Sequence, residues 1–286
     1  MLNETTTDLN EIEVKVEKYR NKDNPAVALI RNVIKNKDNN RNKSFDYFNY
    51  EKYEKVQLAY NNVTANTRKN ILFRSMKFIF DFADTSKING KVNLPFFLRE
   101  SYSDVYYRKD PSSQKEYIRA EKNTLMPGIF DNVGIADFIE NMSQTIDIYD
   151  NAINLVTVNF TSPISIIAPN LYRFYIIDTT YFGATQVAHL YFAPREKHDL
   201  AFMGHIWIAL DSTYAVRKIE LGIPQEINLN WVKELQLIQE FDWVEDKSNT
   251  PGTKAKRGLM LTKDEIFMDF GLIRKEKTQS ILGNKL

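Results

Sequence analysis

Cysteine is absent from the sequence, and glycine is scarce, with ten glycines in 286 residues. Without a thiolate the chain cannot form a disulfide framework, a Cys-ligated zinc site, an iron–sulfur cluster or a thiol nucleophile. None of the glycines falls in a G-x-G-x-x-G or Walker pattern, so the sequence carries no phosphate-binding loop of these kinds. These absences exclude several common classes of enzyme.

Long apolar runs are also lacking. No stretch approaches the about 18 consecutive apolar residues that a membrane-spanning helix needs. Residues 1–5 do not show the positive region followed by an apolar stretch that is typical of a signal peptide. If the protein is exported, we therefore expect the export signal to lie outside this chain.

Neither sign of charge is in excess, because 38 basic residues nearly cancel 37 acidic ones and leave a formal net charge of +1. Binding of duplex nucleic acid normally needs a clustered basic face, so we expect no nucleic-acid partner. The hydrophobic fraction of 43% is ordinary for a globular protein. The chain is long enough to bury a substantial core.

Three segments have helical spacing of apolar residues. Asn24-Pro25 is a helix start, and Val27, Ile30 and Val33 continue it to about residue 39. Residues 67–84 form the second predicted helix, in which eight of the twelve residues from 71 to 82 are apolar. A helix that is apolar on most faces must be covered by a sheet, a lid or a partner. Residues 131–149 form the third.

The remaining periodic segments alternate as strands do. Residues 94–108 and 114–125 flank the turn signal Pro111-Ser112-Ser113 and predict a hairpin, which a long strand over residues 44–60 precedes. Connections that are mostly short turns join strands over residues 171–180, 184–192, 205–210, 213–221, 231–244 and 258–270. Between these two groups, residues 151–170 are predicted to form an irregular connection with one short strand. The pattern predicts an α+β fold: one large curved antiparallel sheet, half-barrel-like, with helices packed in and on its concave face.

The unusually apolar second helix suggests a binding site. Its residues either form plain core or line an apolar cavity on the concave face. If they line a cavity, we predict that its walls are Leu72, Met76, Ile79, Phe80, Phe96, Phe97 and Trp207.

Catalytic and metal-binding patterns are not evident. Glu196, His198, Asp199 and His205 lie around one predicted turn, but their spacing matches no metal motif such as H-E-x-x-H, so we predict no metal site and no cofactor. No G-x-S-x-G elbow occurs. A pair of carboxylates for glycoside hydrolysis meets in space and follows no rule of sequence spacing, so the sequence leaves this possibility open. Tyrosines interleaved along strands could stack on sugars or single-stranded bases.

Several segments resemble an uncharacterised family of outer-membrane proteins: residues 21–34, 94–108, 162–163, 172–180 and 207–220. The most specific of these matches is Ser103-Asp104-Val105-Tyr106-Tyr107. Members of that family carry a carboxypeptidase-regulatory-like β-sandwich, then a domain of unknown function, then an outer-membrane β-barrel. At the level of the fold, the chain is similar to the half-barrels of lipoprotein-carrier and sigma-regulator sensor proteins, which enclose acyl chains.

The resemblance implies a domain plan and a location. Residues 1–24 would be a linker or the tail of the sandwich, and residues 25–286 a single domain truncated before the C-terminal barrel. It implies a place at the periplasmic face of the outer membrane, beside the protein's own barrel. The regulatory-like module is non-catalytic, so no carboxypeptidase chemistry follows.

We therefore expect a non-catalytic binding or assembly module that holds a lipid or acyl chain or an envelope partner protein. Two alternatives remain, a hydrolase that acts on envelope polysaccharide and a purely structural spacer.

Overall fold

The structure is a computed structural model, and it describes residues 19–41, 45–60, 80–81, 83–85, 92–125, 146–155, 158–224, 227, 232–245 and 257–270. Within these ranges the helices are α1 (Pro25–Asn40) and α2 (Ala168–Leu171). The strands are β1 (Tyr47–Tyr60), β2 (Asp84–Thr85), β3 (Val92–Arg108), β4 (Ser113–Leu125), β5 (Ala152–Leu155), β6 (Val158–Thr161), β7 (Tyr172–Phe182), β8 (Thr185–Pro194), β9 (Met203–Ala209), β10 (Val216–Gly222), β11 (Val232–Glu245) and β12 (Arg257–Phe270).

Helix α1 begins where the sequence predicts. The side chain of Asn24 accepts hydrogen bonds from the backbone N–H groups of Ala26 and Val27, at 2.9 and 3.4 Å, and Pro25 occupies the first turn. These contacts satisfy N–H groups that no helical carbonyl can reach. Val27 and Ile30 are fully buried, so one face of α1 belongs to the core.

Six strands form the larger sheet in the order β12-β11-β10-β9-β8-β7, each antiparallel to the next. Helix α1 contacts both β7 and β12, the two outermost strands of this order. The sheet is curled, and α1 lies against its two outermost strands. The sheet-dominated α+β fold with a curled half-barrel sheet is confirmed.

The concave side of this sheet is closely filled. Aromatic rings from β7, β8, β6 and the residues just before β9 pack there, with the ring centroids of Phe160 and Phe202 at 4.8 Å and those of Tyr172 and Phe192 at 5.7 Å. All four side chains are fully buried. The hydroxyl of Tyr172 donates to the carbonyl of Thr161 and accepts from the N–H of Phe202, so its polar atom is paired inside the core.

The strands of the first half form a sheet of their own, whereas the sequence predicted one large sheet that includes all strands. Strand β3 pairs with β1 on one side and with β4 on the other, and β2 pairs with the start of β3. The hairpin β3–β4 turns at Pro111 as predicted. The two sheets meet where Phe45, ahead of β1, lies against Gly258 of β12. A Cβ added to this glycine would lie 1.8 Å from the Phe45 ring.

Three element predictions are corrected. Residues 146–149, predicted as the end of a helix, form a turn, and Asp84, predicted as the last residue of the apolar helix, belongs to β2. Residues 151–170, predicted as an irregular connection with one short strand, contain the hairpin β5–β6 and the short helix α2. Residues 11–16, 67–79 and 131–145 lie outside the described residues.

Candidate binding surfaces

The outward side of the smaller sheet carries tyrosines. Strand alternation and the register of β1, β3 and β4 place Tyr47, Tyr53, Tyr102, Tyr106 and Tyr117 on one side, which we call the tyrosine face. The exposed fractions of the side chains are 69% for Tyr47, 62% for Tyr53, 47% for Tyr106 and 56% for Tyr117. Aromatic rings this exposed are not explained by core packing.

Polar contacts fix the positions of these rings. The hydroxyl of Tyr53 donates to Glu100 at 2.7 Å, and this hydrogen bond raises the pKa of the phenol. The rings of Tyr106 and Tyr117 meet edge to face with centroids 5.8 Å apart. Arg119 donates to Asp104 at 2.6 Å and lies over the Tyr102 ring at 5.9 Å. The face is therefore an ordered surface of rings and charged groups.

A shallow open groove of about 220 Å³ runs across this face. It is smaller than the roughly 300–1,000 Å³ of enclosed small-molecule sites, so it suits a ligand that lies across the surface. Glu100 and Lys122 carry opposite charges at its edge, which favours a ligand without strong net charge. The lining residues are Tyr53, Glu100, Ser101, Tyr102, Ala120, Glu121 and Lys122.

The opposite side of the smaller sheet carries an inner polar network of Lys52, Glu54, Arg99, Ser103 and Glu116. The Lys52 ammonium lies 3.3 Å from carboxylate oxygens of both Glu54 and Glu116, and the Ser103 hydroxyl donates to Glu116. Burial alone would raise the pKa of Glu116, but the Ser103 hydrogen bond and the charge of Lys52 lower it. One cation thus bridges the two carboxylates, and the pKa of Glu116 lies below its usual value.

The convex side of the larger sheet carries His189 and His205, which we call the histidine pair. Trp207 belongs to this side, because it alternates with the fully buried Ile206 and Ile208 of β9. The rings of His189 and Trp207 are stacked, 4.3 Å apart and within 7° of parallel, and the Lys218 ammonium lies 4.9 Å from the Trp207 ring centre.

The predicted cavity residues do not gather into one described site. Phe80 and Phe97 are each only 9% exposed, as a cavity wall or a plain core would be. Trp207 lies on the convex side, whereas the prediction put it on the concave one. The side chains of Leu72, Met76, Ile79 and Phe96 lie outside the described residues.

The histidine pair was not predicted from the sequence, because the spacing grouped His205 with His198 instead. His198 lies in the exposed loop between β8 and β9. Within the described ranges no three His, Asp or Glu side chains are placed to hold a metal ion together.

Within the described residues, fold and surfaces define a curled, sheet-dominated α+β protein with an outer face of exposed tyrosines and a concave side packed with buried aromatic residues. A family model described as a family of unknown function, DUF5686, matches residues 29–255, and the chain belongs to that family. No curated protein and no solved structure matches it. The resemblance to an uncharacterised family is thereby confirmed at this level. None of the described helices is long and apolar enough to cross a membrane.

Proposed function

We propose that this chain is a non-catalytic binding module of the cell envelope and that its tyrosine face binds a polysaccharide chain. The observation that carries the proposal is the row of exposed tyrosine rings beside a shallow, open groove. The envelope location, with the protein's own barrel as neighbour, rests on the resemblance of the sequence.

The chemistry of the tyrosine face suits sugars. A tyrosine ring offers an apolar plane to the C–H side of a sugar ring, while its hydroxyl exchanges hydrogen bonds with sugar hydroxyls. Glu100, which lines the groove, offers carboxylate oxygens that accept hydrogen bonds from hydroxyls, and Lys122 offers a donor. A face with both signs of charge does not favour a nucleic acid or an anionic membrane.

The acyl-chain prediction receives less support. In the described part of the concave side, the fully buried aromatic residues of β6, β7 and β8 occupy the space that an acyl chain would need. Exposed aromatic groups on an outer surface are the stronger indication of binding.

The hydrolase alternative also receives less support. Glycoside hydrolysis needs one protonated and one charged carboxyl group flanking a cleft. Lys52 binds both Glu54 and Glu116, and the pKa of Glu116 is lowered, so this pair is not arranged as an acid and a base.

The test is a titration of the purified chain with chito- and cello-oligosaccharides, followed by calorimetry and by NMR. Tyr53→Ala and Tyr117→Ala should each weaken binding about fivefold, because one stacked ring contributes about 1 kcal/mol. Tyr181→Ala is the matched control, since Tyr181 is 65% exposed but belongs to the larger sheet, and it should bind as the wild type does.

Two results would overturn the proposal. The first is that none of the sugars binds, or that all three variants weaken binding equally. In either case a partner protein becomes the better candidate for this face. The second is cleavage of the oligosaccharides during incubation, which would make the module catalytic.

A further inference from the structure

The histidine pair joins two neighbouring strands of the larger sheet. In the β8–β9 register His189 lies opposite Trp207, and His205 lies opposite Tyr191, so the two histidines are diagonal neighbours. The Nε2 atom of His189 and the Nδ1 atom of His205 are 2.9 Å apart. Two imidazole nitrogens therefore face each other on a surface that the tyrosine face does not include.

Neighbouring groups hold His189 in one orientation. Its Nδ1 atom lies 3.3 Å from a carboxylate oxygen of Asp178, and only 16% of its side chain is exposed. The stacked ring of Trp207 supports it from one side. A proton on Nδ1, directed at Asp178, leaves a lone pair on Nε2 that points toward His205. A carboxylate on the far nitrogen of a histidine is the common outer partner of a metal-binding imidazole.

The nitrogen of His205 that faces His189 is Nδ1. In the hydrogen-bonded pair one proton lies between the two nitrogens. If that proton moves to Nε2 of His205, both facing nitrogens present lone pairs without any change of net charge.

We infer that the histidine pair binds a divalent transition-metal ion, and Cu²⁺ most tightly. The 2.9 Å between the facing nitrogens is a hydrogen-bond distance, so the two imidazoles are near enough to bind one ion once the shared proton has left. Nitrogen ligands bind Cu²⁺ more tightly than Ni²⁺ or Zn²⁺. Imidazole ligands also exclude Mg²⁺ and Ca²⁺, which prefer oxygen.

The remaining positions of the ion are open. Glu220 lies opposite His205 in the β9–β10 register, and its carboxylate now binds the ammonium of Lys218 at 2.9 Å. This carboxylate can supply one oxygen ligand if it leaves Lys218. Because no third protein donor is in place among the described side chains, water completes the coordination and the ion is exchangeable.

The test uses the full chain without a histidine tag in a buffer that does not bind metals, at pH 7.5. We expect calorimetry to show one Cu²⁺ bound per chain, and electron paramagnetic resonance to show two nitrogen ligands. His189→Ala and His205→Ala should each weaken binding at least about tenfold. The chain has three histidines, so His198→Ala is the matched control and should bind as the wild type does.

A further variant separates loss of a ligand from loss of the fold. Asp178→Asn keeps both imidazoles and changes a side chain that is mostly exposed. It should weaken Cu²⁺ binding several-fold, because the carboxylate that orients His189 is lost. Circular dichroism should show unchanged folding for all four variants. Absence of Cu²⁺ binding, a signal from two nitrogen ligands that is unchanged in His189→Ala, or equal loss in His198→Ala would overturn the inference, and none of these results bears on sugar binding.

Discussion

Gly204 in β9 allows two strands to approach more closely than any other residue would. Its φ is 153°, and a Cβ at this position would lie 1.9 Å from the carbonyl oxygen of Glu220 in β10. The obstacle is backbone, which cannot move aside as a flexible side chain can. The close approach lies beside His205, so the glycine also affects how the histidine pair is presented.

Replacement of Gly204 should therefore be costly. We expect Gly204→Ala to lower the free energy of unfolding by at least about 3 kcal/mol, because it combines backbone strain with a steric clash. Gly183→Ala is the control. Gly183 has a φ of 60° in the β7–β8 turn with no atom near its missing Cβ, so its loss should cost only about 1–2 kcal/mol. Urea unfolding of both variants measures the difference, and equal losses would contradict this account.

At the scale of elements, the cap of α1 offers a clean measurement. Asn24 accepts from two N–H groups of the first turn, and no acidic residue occupies that turn. We expect Asn24→Ala to lower the free energy of unfolding by about 1 kcal/mol. Asn24→Asp should stay within about 0.5 kcal/mol of the wild type, because a carboxylate also caps and favours the positive end of the helix. A loss in Asn24→Asp as large as in Asn24→Ala would show that capping is not the cause.

Local patterns predicted these elements well. The Asn24-Pro25 start, the turn at Pro111 and the meander from β7 to β12 all depend on neighbouring residues and short turns. The division into two sheets was not predicted, since it depends on β1 pairing with β3 across a long connection. The β5–β6 hairpin was missed because its strands have only four residues each, too few for a clear alternation.

The sites were less predictable than the elements. Alternation along β1, β3 and β4 indicated that tyrosines share faces, but which face meets solvent depends on what packs against the sheet. The histidine pair could have been found by counting residues outward from the β8–β9 loop along both strands. In that register Phe192 pairs with Gly204, and His189 pairs with Trp207. That count places His189 diagonal to His205. The distance between their nitrogens still depends on side-chain rotamers, which a sequence does not give.

At the scale of the whole molecule, the two sheets meet along β1 and β12. Phe45 packs on Gly258, and further along the same strand Asp264 lies within electrostatic reach of Lys52. Asp264 pairs with Gln239 of β11, whose fully buried amide donates to the carbonyl of Ile146 at 2.9 Å. The carboxylate therefore points toward the concave side, although solvent reaches it.

This position changes the acidity of Asp264. The protein packed around it raises its pKa from 3.8 to about 6, while the Gln239 hydrogen bond and the Lys52 charge act in the opposite direction. The folded state thus binds a proton more tightly than the unfolded chain does. The resulting stabilisation is complete below about pH 4 and is lost as the pH rises through about 6.

Asp264→Asn should remove this dependence. We expect the unfolding free energy of the wild type to fall, relative to that of the variant, as the pH rises from about 4 to about 6, and to level off above that. Urea unfolding at steps across this range measures the two curves. Because Lys52 also binds Glu54 and Glu116, a Lys52→Met variant should raise the pKa of Asp264 further and move the fall to higher pH. Parallel curves for the wild type and Asp264→Asn would show that this carboxylate is as well solvated in the folded protein as in the unfolded chain.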